Sequence, residues 1–167
     1  MKFFKLCSAM TAIVFFGAAI GMFALSFVDL QTVVLGKGSV THLANGFEIA
    51  FGQTNLESGN ILGTLFAFIF VALGACCALC LALLAIKGGK SKTAINLKLL
   101  GACCAFAICG ILPAVLLFLT LQTTGSVGGG VLGGGMLGAE YKLGVGAILA
   151  AIFSLVGGTA LGAAVIK

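Results

Sequence analysis

Ile61-Leu-Gly-Thr-Leu-Phe-Ala-Phe-Ile-Phe-Val-Ala-Leu-Gly-Ala-Cys-Cys-Ala-Leu-Cys-Leu-Ala-Leu-Leu-Ala-Ile86 runs for 26 residues without a charge. A helix rising about 1.5 Å per residue needs about 20 apolar residues to cross a hydrocarbon core of roughly 30 Å, so this stretch is long enough to span a bilayer. Three further stretches, Leu6–Val28, Leu99–Ala139 and Leu143–Ile166, are equally free of charge. Leu99–Ala139 is the longest because a glycine-rich segment follows its helix. The expected fold class is an all-α integral membrane protein, a four-transmembrane-helix antiparallel bundle in one domain, 1–167. Spans are expected at about 6–28, 61–86, 97–121 and 143–166, with outer loops at about 29–60 and 122–142 and an inner loop at about 87–96.

The composition agrees with that reading. Apolar residues make up 61% and charged residues 8%, against roughly 45–50% and 25% in soluble domains. The net charge of +5 comes from nine lysines and no arginine. Without arginine forks or interleaved basic and aromatic residues, nucleic acid is not an expected partner. The lysines mark topology instead. Lys2, Lys5, Lys87, Lys90, Lys92, Lys98 and Lys167 fall on one side of the four spans; Lys37, Lys142 and all four acids, Asp29, Glu48, Glu57 and Glu140, fall on the other. The positive-inside rule then puts both termini in the cytoplasm, N-in and C-in, with the larger first loop outside the cell membrane. The apolar run Leu6–Val28 exceeds the roughly 7–15 residues of a signal-peptide core, so a retained first span is expected.

Small residues suggest how the helices meet. Gly17 and Gly21 form a GxxxG pair in span one, and Gly74, Ala78 and Ala82 form a ridge in span two. Ala147, Ala151, Ser154, Gly158 and Gly162 recur at spacings of three and four in span four, the strongest candidate lateral packing face, inside the bundle or against another copy. The short basic connection predicts spans two and three as an adjacent hairpin. Pro113, the one proline, is expected to kink span three.

In the first outer loop, Thr32–Leu35 is β-prone and Gly36-Lys37-Gly38-Ser39 reads as a turn. Val40, Leu43, Ala44, Phe47 and Phe51 make the stripe of a short amphipathic helix lying on the membrane or capping the bundle. The Asn45-Gly46 pair argues instead for a turn followed by a short strand, Phe47–Phe51. The second outer loop repeats Gly-Gly-Gly-Val-Leu and Gly-Gly-Gly-Met-Leu, a composition with a large ordering entropy that argues for mobility.

Little chemistry is on offer. His42 is the only histidine and reads as a solvated loop residue; with four acids in the loops or at the interface, it completes no catalytic or zinc-binding set. The spans hold no ionisable carboxylate, lysine or histidine near mid-membrane, which disfavours coupled ion transport. The seven cysteines gather in the inner half: Cys7, then Cys76, Cys77 and Cys80, expected to face Cys103 and Cys104 across the hairpin, and Cys109. They read as small, reduced packing residues rather than metal ligands or reactive thiols, and no cofactor is expected.

Four spans, cytoplasmic termini and a larger first outer loop resemble the claudin-like tetraspan layout. The claudin Trp-Gly-Leu-Trp motif and its loop cysteines are absent, so the resemblance is one of topology and implies no residue role. Gly46-Phe47-Glu48-Ile49-Ala50-Phe51-Gly52 is similar to segments of small uncharacterised multi-span proteins of Gram-positive bacteria and mollicutes. The expected function is a non-enzymatic structural, adhesion or accessory role. Its partners would be the bilayer and a membrane protein or second copy, with Phe47 and Phe51 as candidate outer-loop contacts. The second reading is a passive channel or transporter subunit.

Overall fold

The computed structural model describes residues 2–34, 37–52, 58–87, 95–122 and 137–166. Its elements are α1 (Lys2–Met22), β1 (Ser26–Val34), β2 (Lys37–Asn45), α2 (Gly46–Ala50), α3 (Ser58–Lys87), α4 (Ile95–Phe106), a π turn (Ala107–Ile111), α5 (Leu112–Gln122), β3 (Leu137–Leu143) and α6 (Val145–Ile166). Four helical stretches are long and apolar enough to cross a membrane: Phe3–Met22, Ile61–Ile86, Leu97–Leu119 and Val145–Ile166. Gly36, the inner connection from Gly88 to Ala94 and the glycine repeat before Leu137 lie outside the described residues, as do the expectations placed on them.

The bundle is built in layers. Ala9, Ala82 and Ala164 meet at one end; Ala12, Phe16, Val71, Ala78, Cys109 and Leu161 meet in the middle; Phe23, Ala67, Leu117 and Ala147 meet at the other. Residue numbers therefore rise along the first and third stretches while they fall along the second and fourth, so neighbouring helices run in opposite directions. Small residues fill the interior, while Leu73, Leu79, Leu83, Leu100 and Ile152 point outward. This is the pattern lipid favours. Moving leucine from lipid into protein gains no hydrophobic transfer energy, whereas alanine and glycine let backbones approach and gain dispersion contacts.

Close approach is most stringent at Phe16 and at Gly110. A Cβ at Gly74 would stand 2.6 Å from the Phe16 ring and one at Gly157 would stand 3.1 Å from it, so the ring is wedged between α3 and α6. A Cβ at Gly158 would meet the Gly110 Cα at 2.7 Å. Gly110 lies in the π turn that precedes Pro113. Proline cannot donate to the helix ladder, and just before it the Leu112 N–H reaches back five residues to the Ala107 carbonyl. The wider turn redirects the third stretch: α4 packs on α6, whereas α5 packs mainly on α3.

Several expectations are corrected. The all-α class omits a three-stranded antiparallel sheet of order β2-β1-β3. Span one ends at Met22 rather than near residue 28. The N–H groups of Phe23, Ala24 and Leu25 bond three residues back, and Ser26 opens β1. Apolar runs such as Ser26-Phe-Val cannot be divided between helix and strand by hydropathy, and here pairing with two other strands decides. Leu143 likewise belongs to β3, where it pairs with Val28, and α6 begins at Val145. The expected helix over Val40–Phe51 is absent. Val40 and Phe51 are exposed whereas Ala44 is buried, because Val40–Asn45 lies in β2 and only Gly46–Ala50 is helical. The alternative strand over Phe47–Phe51 is replaced by the same helix. Spans two and three are neighbours as expected, but through α5 and the π turn, which pack on α3, while α4 leans on α6. Gly17 and Gly21 face outward with nothing within 4 Å, so the GxxxG pair joins no helix of this chain.

Replacing Gly158 by alanine should lower stability by about 1–3 kcal/mol, the usual cost of overpacking. Gly17→Ala, in open space, should be neutral or slightly stabilising through helix propensity. Thermal unfolding of the two variants in the same detergent checks both.

Candidate functional site

The sheet meets the bundle at a seam of backbone contacts. The Gly144 N–H donates to the Phe27 carbonyl at 2.8 Å, and the Phe47 N–H donates to the Phe23 carbonyl at 3.1 Å. A Cβ at Gly146 would stand 2.8 Å from the Ser26 carbonyl oxygen, so only glycine lets α6 start this close to β1. Beside the seam opens a cleft of about 580 Å³. Leu25, Ala44, Val145 and Gly146 give it apolar walls, and Ser26, Asp29, His42, Asn45 and Glu48 give it polar ones.

Asp29 and His42 are register partners on β1 and β2, with His42 Nδ1 2.7 Å from Asp29 Oδ1. The Ser26 hydroxyl donates to the same carboxylate oxygen. Irregular register on either side of Val28 accompanies this convergence of Ser26 and Asp29. The Asp29 side chain is 15% exposed and that of His42 75%. Asp29 is the hub of this chain, with serine and histidine as its two donors. A nucleophile–base pair needs serine bonded to imidazole, so this order does not activate Ser26. The trio braces the sheet where it leaves the bundle.

Asn45 and Glu48 form a capping box. The Glu48 N–H donates to Asn45 Oδ1 at 2.9 Å and the Asn45 N–H donates to Glu48 Oε2 at 3.0 Å, satisfying two donors at the start of α2. The Asn-x-x-Glu spacing is a capping signal that the Asn-Gly turn reading passed over, and Gly46 is needed for packing. A Cβ there would stand 2.8 Å from the Phe27 ring and 2.9 Å from that of Phe23.

The candidate contact residues separate. Phe47 is half-buried with its ring 6.0 Å from Phe23 and 5.7 Å from Phe68, which makes it an anchor of α2. Phe51 stacks on Phe47 with centroids 6.5 Å apart yet remains 61% exposed. Ala147, Ala151, Ser154, Gly158 and Gly162 are all buried within this chain. The Ser154 hydroxyl donates to the Ala151 carbonyl at 2.8 Å and lies 3.4 Å from that of Gly110. A Cβ at Gly162 would stand 3.3 Å from the Ala102 carbonyl oxygen. That face packs on the third stretch of the bundle and is covered before any second copy arrives.

The cysteine reading also changes. Cys109 alone is buried, whereas Cys7, Cys76, Cys77, Cys80, Cys103 and Cys104 are exposed on the outside of their helices. Alanines and glycines fill the interior positions expected of the thiols. Among the described residues, no three histidine, cysteine or acidic side chains gather as metal ligands. His42 is solvent-exposed as expected, but its bond to Asp29 was not legible without the strand register. No protein-family model matches the chain and no curated protein matches it, so no family is assigned.

Asn45→Ala removes an N-cap and should cost about 1 kcal/mol. Differential scanning of wild type and variant should show a lowered midpoint.

Proposed function

We propose that the chain is a non-enzymatic, multi-pass protein of the cell membrane with a structural, adhesion or accessory role, acting through its outer sheet and cleft. The carrying observation is that two outer segments far apart in sequence join in one sheet over the bundle: β1 pairs with β2 from the first and with β3 from the second. A surface knitted in this way is held in one shape and can present side chains to a partner. Phe51, exposed beside the rigid Phe47–Phe68 pair, is the foremost contact residue.

The passive-channel reading has less support. Within one copy, the Phe16 ring occupies the space between Gly74 and Gly157, and the middle layer around it is apolar. A pore would have to form between copies. Flux through liposomes containing the purified protein separates the two readings; selective permeability would overturn the accessory role.

Phe51→Ala should reduce capture of an outer partner by crosslinking while leaving the melting temperature unchanged. Phe47→Ala should instead destabilise the fold by about 2 kcal/mol, since a half-buried ring loses part of the usual 3–5 kcal/mol of a core phenylalanine. Equal capture by wild type and Phe51→Ala would remove Phe51 from the contact surface.

The proposed orientation, with both termini cytoplasmic, is supported by the lysine-rich end of the bundle. In a variant lacking the native cysteines, His42→Cys should react with a membrane-impermeant maleimide in intact cells. A cysteine restored at position 7 should react only after permeabilisation, and the reverse pattern would invert the topology.

A further inference from the structure

The cleft beside the seam holds two carboxylates that the fold partners only in part. Asp29 accepts the Ser26 hydroxyl and meets His42 Nδ1 on one oxygen, Oδ1, and Glu48 accepts the Asn45 N–H on Oε2. Among the described groups, nothing donates to Asp29 Oδ2 or to Glu48 Oε1. Both donors to Asp29 can be neutral, a hydroxyl and an imidazole Nδ1–H, so they leave its charge unbalanced. The described lining contains no lysine. Its apolar walls are open as well: Leu25 is 45% exposed and Val145 63% exposed, on either side of Gly146 and Ala24. The volume of about 580 Å³ falls within the roughly 300–1,000 Å³ usual for ligand sites.

These walls select one kind of occupant. Two carboxylates repel an anion. Among the described residues no three metal ligands gather, so nothing replaces the hydration shell of a bare metal ion. A wholly apolar ligand would strip water from both carboxylates and return no hydrogen bond. We propose, resting on the reading of the sheet and cleft as a contact surface, that the cleft receives an ammonium or guanidinium group on an apolar stem, a lysine or arginine side chain of a partner protein. Its N–H groups give charge-assisted hydrogen bonds to the two idle oxygens, and its methylenes lie on Leu25 and Val145.

The test titrates the full chain in detergent with acetyl-leucyl-lysine amide and with the uncharged acetyl-leucyl-norleucine amide, followed by ligand-observed NMR. Wild type should bind the lysine peptide about tenfold more tightly, the weight of a hydrogen bond to a charged group. E48Q, whose amide oxygen can still accept the Asn45 N–H of the capping box, should lose most of that preference. A24L, which narrows the cleft and leaves both carboxylates in place, should weaken both peptides. Lys142 is the register partner of Asp29 on β3, and K142Q should bind the lysine peptide at least as tightly as wild type. Equal binding of the two peptides by wild type overturns the proposal, as does an unchanged preference in E48Q or weaker binding by K142Q. Hexylamine bound as tightly as the lysine peptide would assign the cleft to a free amine and overturn the partner side chain. Should a variant fail to fold, the comparison of the two peptides on wild type decides alone. A negative result leaves capture through Phe51 standing, whereas loss of that capture leaves the peptide preference intact.

Discussion

The hydrogen bond from the Gly144 N–H to the Phe27 carbonyl, 2.8 Å long, joins the first residues of β1 to the residue that precedes α6. Around it the chain passes from helix to strand at Ser26 and from strand to helix after Leu143, and both changes must occur at the same height for β1 and β3 to pair. Gly144 and Gly146 permit this because a side chain at either would run into the backbone near Ser26. With the joint in place, β1 extends outward as the central strand and β2 completes the sheet. The Phe47 N–H then closes the structure back onto the end of α1.

Two solvents shape the two halves of the molecule. In the spans, leucines and isoleucines face outward and small residues face inward, because dispersion between close backbones is the available attraction. Above the spans the ordinary rule returns. Phe23, Phe27, Ile49 and Ala44 are buried beneath the sheet and α2, where removing apolar surface from water is favourable. The cleft sits at this boundary, which is why apolar walls and the Asp29–His42–Ser26 chain occur side by side. Hydrogen bonding there braces a sheet that has only its inner end on the bundle.

The spans were legible because hydropathy over twenty residues is a local property. The capping box of Asn45 and Glu48 was equally local and open to reading. The sheet was not. Leu137–Leu143 contains Gly138 and a mixed set of side chains, and it becomes a strand only by pairing with β1 more than a hundred residues earlier in the chain. Asp29 and His42 become partners for the same reason. The cysteines were misread because clustering along the sequence says nothing about which side of a helix faces lipid.

The amino-acid sequence by itself determined four apolar helices, the separation of lysines from acids and the small-residue face of the fourth span. Each follows from spacing along one segment. Tertiary structure decided that this face is covered by the third span, that the third stretch leans on α6 before the turn at Pro113 and mainly on α3 after it, and that the two loop segments form one sheet. Those outcomes depend on which backbones approach one another, and that is set by pairing and packing between distant residues rather than by any single stretch.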